Sequence, residues 1–534
     1  MRIIKSFLLA GSFALVLTGC GSTSEILSTP IENIDALPLK VSDLTDVEKN
    51  KWGHLDLVKD TIPGMSVEKA YAEIIKNKKG QKVIVAVIDS GIDIDHEDLN
   101  GVIWTNKGEI PGNGIDDDNN GYVDDIHGWN FLGEAYDEQL EHTRIVASGD
   151  TSNPDYEAAK AQLEEDYDLW TGRKAQYDQI AQAVKGANET LANHLGKEDY
   201  TLEEVNNIET EDEALSQAIQ VANGMNANGL TLQEAIGEIN GALVSINERL
   251  NFLLNVDFNG RTTGDDINDF SEIGYGDNNV KPVKKDESHG THVAGIIAAM
   301  RDNGIGMNGV ANNVEIMSIR AVPNGDEYDK DVALAIRYAV DNGAKVINGS
   351  FGKSFSPHAD KVRDAIKYAS DNDVVFVHAA GNSSENIDVE PNFPDDNVNF
   401  VEVSDTYIRV GALTSKYGSS MVSSFSNYGK KNVDVFAPGS AIYSTFPENE
   451  YKAISGTSMA APGVAGVVAL VRSYYPKLTA AQVKQVILES GLPLTTKVVV
   501  GGDSSNVKPF SDISKSGRVV NAYNALIMAD QLSK

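Results

Sequence analysis

Residues 454–470 read ISGTSMAAPGVAGVVAL, a run of small and apolar residues without a single charge. Such a stretch is a helix buried among other elements rather than lying at a surface. It places a serine, Ser458, close to the helix start, and that serine has two readings. Thr457 or Ser458 caps the helix with its hydroxyl, as such residues often do. Alternatively, Ser458 is a nucleophile held at the positive end of the helix. The second reading requires a base, an acid that orients the base, and an oxyanion donor elsewhere in the chain.

Outward from that helix, the chain alternates between two periods. KVIVAVIDSG (82–91) is a continuous apolar run closing in Asp-Ser-Gly, the pattern of a parallel strand buried on both faces. It follows a helical stretch at 65–80. From His289 onward, HVAGIIAAM is a small-residue helix, and 314–322, 345–352, 374–382, 407–413 and 433–439 read as strands. Amphipathic helices at 326–343 and 358–373 separate three of these strands, and late helices fall at 479–491 and 519–532. The alternation predicts an α/β fold with a doubly wound, mostly parallel sheet and flanking helices. Functional residues then belong at strand C-termini and in the loops that follow.

Four such places carry the chemistry that Ser458 needs. VIDSGID puts Asp89 at a strand end, SHGTHVAG puts His289 at a helix start, and HAAGN puts Asn382 just past a strand. The fourth is GTSMAAPG, with Ser458 itself. A serine hydroxyl is a weak nucleophile until a neutral imidazole takes its proton. The imidazole needs a carboxylate to set its tautomer, and the tetrahedral oxyanion needs fixed donors. His292, three residues after His289, lacks a third ligand at fitting spacing and is read as structural.

Together these segments resemble the subtilisin-like serine proteases, or subtilases. They follow the family's chain order of Asp, His, Asn and Ser, and VIDSGID, HGTHVAG and GTSMAAPGVAG match at nearly every position. The resemblance covers roughly residues 50–132 and 265–534. It implies a subtilisin-like fold and hydrolysis of peptide bonds in protein or peptide substrates through an acyl-enzyme. Asp89 would orient His289, His289 would serve as base and then acid, and Ser458 would be the nucleophile. Asn382 would donate to the oxyanion. Ser350, Phe351 and Gly352 would line the substrate cleft, and Ala379, Ala380 and Gly381 would form part of the specificity-pocket wall. Two rival functions are a catalytically silent peptide-binding surface protein and an esterase. The G-x-S-x-G elbow of the α/β-hydrolases is absent around Ser458.

NGIDDDNNGYVDD (113–125) reads as a structural calcium loop. Asp116, Asp118, Asn120 and Gly121 fit the first six positions of an EF-hand-type loop, and the Tyr122 carbonyl falls at the next ligand position. His127 stands where the twelfth-position Glu belongs, so Asp125 or Asp124 completes the shell. Between 133 and 265 the pattern changes to an acidic, almost wholly helical insertion. Thr201–Glu204, Thr210–Glu213 and Thr231–Glu234 read there as capping boxes. A lid, a docking platform and an autoinhibitor all remain open for it. The organisation is therefore 1–19, 20–50, 51–132, 133–265 and 266–534: signal segment, tether, first part of the catalytic domain, insertion, second part.

The chain of 534 residues carries a formal net charge of -33, which repels phosphate backbones and argues against a nucleic-acid role. Its one cysteine, Cys20, follows a short apolar run with Arg2 and Lys5 ahead of it, as in a secretory signal. Leu17-Thr18-Gly19-Cys20 resembles a bacterial lipobox. That implies cleavage before Cys20, lipid on it, and membrane attachment of an exported protein. Gly21 leans toward the outer membrane of a Gram-negative bacterium.

Overall fold

The structure, a computed structural model, describes Lys40 and residues 42–534. The signal segment and Cys20 lie outside the described residues. At the centre is a nine-stranded sheet. Its strands are β1 (Val83–Asp89), β2 (Gly128–Asn130), β3 (Val314–Arg320), β4 (Val346–Gly349), β5 (Val375–Ala379), β6 (Tyr407–Leu413), β7 (Val435–Pro438), β8 (Leu492–Pro493) and β9 (Arg518–Val519). Their spatial order is β8-β9-β7-β6-β5-β4-β1-β3-β2. Every neighbouring pair is parallel except β8 with β9. β3 pairs with one side of β1 and β4 with the other, so the strand order reverses at β1. Asp89 is its last residue. In a doubly wound sheet the crevice at such a reversal is where ligands bind.

β1 shows why a continuous apolar run is required. Val83, Val85 and Val87 point into one core layer, and Ala86 and Ile88 into the other. Helices His289–Ala298 and Thr457–Tyr474 cover the first layer, and helices Asp329–Asp341 and Ala359–Asp371 cover the second. The fold is thus the α/β architecture the alternation predicts. Helix Thr457–Tyr474 is buried along nearly its whole length, which accounts for its composition. At Gly466 a Cβ would stand 2.5 Å from the Val310 Cβ, so no larger residue fits without moving the backbone.

The insertion carries its own small core. Helix Tyr156–Leu195 runs for 40 residues against helices Glu213–Asn226 and Leu232–Glu248, burying Val184, Leu191, Leu215, Ala218 and Ile239 between them. Thr201 and Thr231 close capping boxes with Glu204 and Glu234. The box expected at Thr210 does not form. Its helix begins at Glu213, so Asp212 is the cap and accepts from Leu215 N–H, while the Thr210 hydroxyl accepts from Asp212 N–H. Asp caps as well as Thr and stands directly before the first turn, which leaves Glu213 too early in the helix to reach back. Among the described residues no helix is long and apolar enough to cross a membrane.

Candidate active site

The Asp89 carboxylate is buried at the end of β1. Its Oδ1 accepts from Ser90 N–H at 2.8 Å and from His289 Nδ1 at 2.7 Å. The start of helix His289–Ala298 is pressed onto the turn that follows Asp89. A Cβ at Gly290 would lie 2.3 Å from the Gly91 carbonyl oxygen, so only glycine lets His289 come this close. With Nδ1 donating to Asp89, the tautomer assigned by the network leaves the Nε2 lone pair free. Burial pulls the imidazole pKa down, but the Asp89 charge and hydrogen bond outweigh it and hold the pKa above the ordinary histidine value. The His289 side chain is still 37% exposed, enough for its outer edge to meet a substrate.

Ser458 and Thr457 do not cap their helix. Gly456 occupies the cap position in an extended conformation with no side-chain cap bond. Both hydroxyls have other partners. Thr457 N–H and Oγ1–H both donate to Asn382 Oδ1 at 2.9 Å, and Thr457 Oγ1 accepts from Gly381 N–H. The amide oxygen of Asn382 is thereby held, while its Nδ2 has no hydrogen-bond partner among the described residues. A Cβ built on Gly456 would be 3.6 Å from Asn382 Nδ2 and 3.6 Å from the Ser458 N. Two donors therefore flank one small space beside Ser458. The backbone N–H groups of a first helical turn lack intrahelical partners and carry the positive end of the helix dipole.

Ser458 and Ser350 are joined reciprocally. Ser458 Oγ donates to the Ser350 carbonyl at 3.1 Å, and Ser350 Oγ donates to the Ser458 carbonyl at 2.9 Å while accepting from Asn348 Nδ2. Pro462 explains the second bond. It lies four residues after Ser458 and has no N–H, so the Ser458 carbonyl needs a partner from outside the helix. In this arrangement the Ser458 hydroxyl faces the Ser350 carbonyl, and catalytic contacts often tighten only with substrate bound. Thr457, which the sequence offered only as a helix cap, instead anchors Asn382, and the Asn348 amide orients Ser350. His292 is fully buried, with Nε2 facing the Lys452 carbonyl at 3.0 Å, and burial pulls its pKa down to about 4. It is a structural group.

The cleft residues divide. Gly352 is exposed and Gly381 half-buried, and Gly352 N–H and C=O have no hydrogen-bond partner among the described residues. The side chains of Phe351, Ala379 and Ala380 belong to the core, contrary to the expectation that they line the cleft and pocket. The Phe351 ring packs edge-on against His378 with centroids 5.6 Å apart. The three side chains enter three separate core clusters: Ala379 between the sheet and the Ser458 helix, Phe351 on the opposite face, and Ala380 in a third.

In the acidic loop, Glu109, Asp118 and Asp125 each offer an oxygen within 4.8 Å of the others. The Asn106 amide bridges Asp118 and Asp125 at 2.9 and 2.8 Å, and Asn120 donates to Asp125 at 3.0 Å. Burial, reinforced by the Asp118 charge, pushes the Asp125 pKa up to about 6 despite these hydrogen bonds. Three carboxylates so close favour a cation, and an all-oxygen donor set suits a hard one. The expected ligand set changes accordingly. Asp116 stands outside this group of three, and its carboxylate accepts from Asn120 and Gly121 N–H. The Tyr122 ring is buried against Trp129 and Tyr338, which leaves only its carbonyl as a donor. Glu109 stands outside the loop motif and was missed. It is turned toward the loop by the N–H groups of Asp117, Asp118 and Asp124.

Residues 80–508 match the model of the subtilase family, Peptidase S8. The chain belongs to this family, whose members are serine-type endopeptidases. A thermophilic serine proteinase of Bacillus sp. (strain AK1) is 43% identical over 198 residues, covering 37% of this chain and 45% of the relative. Subtilisin DY of Bacillus licheniformis is 36% identical over 221 residues, 41% of this chain and 76% of the relative. Thermitase of Thermoactinomyces vulgaris is 40% identical over 198 residues, 37% of this chain and 65% of the relative. The chain thus spans less than half the length of the first of these relatives.

Proposed function

We propose that the protein is an exported, lipid-anchored endopeptidase in which Asp89, His289 and Ser458 form the triad. The observation that carries this reading is the Asp89–His289 hydrogen bond of 2.7 Å at the strand reversal, supported by the packing of the helix that starts at His289 against the helix that carries Ser458, beside which Asn382 Nδ2 lies. Ser458 Oγ attacks the scissile carbonyl carbon while His289 Nε2 takes its proton. Asn382 Nδ2 and Ser458 N–H hold the oxyanion of the tetrahedral intermediate. His289 then protonates the leaving amine, and water deacylates the acyl-enzyme by the same route. Asp89 keeps the imidazole in the right tautomer and stabilises its cation. The test is turnover of unfolded casein by wild type and Ser458→Ala. Loss in the variant supports the reading, and an inert wild type returns weight to a silent peptide binder.

The base must be neutral to act, and Asp89 holds the His289 pKa up. The acid limb of the kcat/KM profile is therefore expected with its midpoint above about 6.5, the ordinary histidine value. Asp89→Asn should move that midpoint down as well as slow the reaction. The same shift affects stability. The ion pair's contribution is full below the unfolded histidine pKa and fades as pH rises through the higher folded value.

The Glu109–Asp118–Asp125 cluster supports a structural calcium ion, which would offset most of the charge of the three carboxylates and brace the loop. A ligand that binds only the folded state adds about 2.7 kcal/mol at a hundredfold excess over its dissociation constant. Chelation should therefore lower Tm by about 2–3 °C, read by calorimetry, with no further fall in a Glu109→Gln, Asp118→Asn double variant. The lipobox-like segment supports lipid attachment at Cys20. Cys20→Ser is expected to move the protein from the membrane fraction to the soluble one.

A further inference from the structure

The substrate-facing edge and the foot of the insertion meet at Lys353. Its backbone N–H and C=O both pair with Phe393, at 3.0 and 2.8 Å. Its side chain turns away from the cleft and is 2% exposed. There Nζ donates to Glu141 Oε2 at 2.7 Å, to the Glu327 carbonyl at 2.7 Å, and meets Asp329 Oδ1 at 2.9 Å. Glu141 is the first residue of the helix Glu141–Ala147 that opens the insertion. Arg144 in that helix donates to Glu141 at 2.5 Å and to the carbonyls of Gln139, Asp326 and Glu327, and its guanidinium stacks on Tyr328 at 4.1 Å. One buried ammonium thus ties the cleft edge, the segment following β3 and the insertion together. Such a charge is held in one place, because a buried ammonium that leaves these oxygens is left unpaired.

The next residue toward the nucleophile is Gly352, exposed and with free N–H and C=O. Ser350, two residues earlier, touches Ser458 through its carbonyl. An extended chain advances about 3.3 Å per residue, so Gly352 lies about 7 Å farther along the edge. A peptide strand pairing with Gly352 therefore does so about two residues away from the scissile bond, and a one-residue substrate does not reach it. We propose that Lys353 is a positioning residue for extended substrates: through Glu141, the foot of the insertion holds the Gly352 backbone where a bound peptide pairs with it. The insertion then acts on peptide binding without touching the peptide. This rests on the peptidase reading above.

The test compares an acetylated tetrapeptide anilide with an acetylated single-residue ester of the same residue, in the full chain. Lys353→Met is expected to lower kcat/KM on the tetrapeptide about tenfold or more, mainly through KM, with ester turnover nearly unchanged. Glu141→Gln, isosteric and able to keep its hydrogen bonds, should show the same split from the insertion side, more weakly. Lys353→Arg should recover part of the loss. If Lys353→Met does not fold, the Glu141→Gln split decides. Equal losses on both substrates, or none on either, overturn the proposal. A wild type inert toward both substrates and toward a serine probe overturns the peptidase reading itself, and the inference with it.

Discussion

Ser458→Ala is expected to lower kcat on peptide substrates by about 10⁶-fold, and His289→Ala, alone or combined with it, by about the same amount. That magnitude is the one measured when the same groups are removed from a subtilisin. The effects do not add because the two side chains act as one unit. Without the hydroxyl there is no nucleophile for the base to activate, and without the base the hydroxyl stays protonated. Folding should survive the serine change. Ser458 Oγ makes a single hydrogen bond, to the Ser350 carbonyl, and the loss of one such bond costs about 1 kcal/mol. Single-turnover kinetics with calorimetry on each variant separates the two quantities. Multiplicative losses in the double variant would mean that Ser458 and His289 work independently.

Asn382 gives the second large effect and allows a finer dissection. Its Oδ1 accepts twice from Thr457, and its Nδ2 is the outward donor. Asn382→Asp keeps the acceptor that anchors the side chain and replaces only the donor, now with an oxygen that repels an oxyanion. A loss of about 10²–10³ in kcat with little change in KM is expected, since removal of the corresponding donor in a subtilisin costs that much. Asn382→Ala loses the anchor as well, yet should fall in the same range if the donor is what matters. A rise in KM with kcat intact would place Asn382 in ground-state binding instead.

The strands of the central sheet could be read from the chain because burial on both faces leaves an uninterrupted apolar run, as in Val83–Ile88. The three-residue strand Gly128–Asn130 and the hairpin Ile442–Phe446/Glu450–Ile454 left no such trace, being too short or too exposed for a pattern. Short motifs carried the positions of Asp89, His289, Asn382 and Ser458 because each must hold a fixed place at a strand end or helix start. What links them was not legible. Pro462 acts on Ser350 through a carbonyl it leaves unpaired, Glu109 reaches the acidic loop from outside its motif, and Lys353 meets Glu141 across 212 residues. Periodicity reports which face is buried, but it does not report which distant polar groups satisfy one another there. The assignment of Phe351, Ala379 and Ala380 to the cleft failed for a related reason. A motif places the backbone, whereas the packing around it decides where the side chain goes.

The most direct test of the central claim is to react the folded protein with a fluorophosphonate and map the adduct by mass spectrometry. One covalent adduct per chain on Ser458, slowed strongly by His289→Ala, is the expected result. An adduct on another residue, or none on a folded protein, would contradict the assignment of Ser458 as a nucleophile activated by His289 and Asp89.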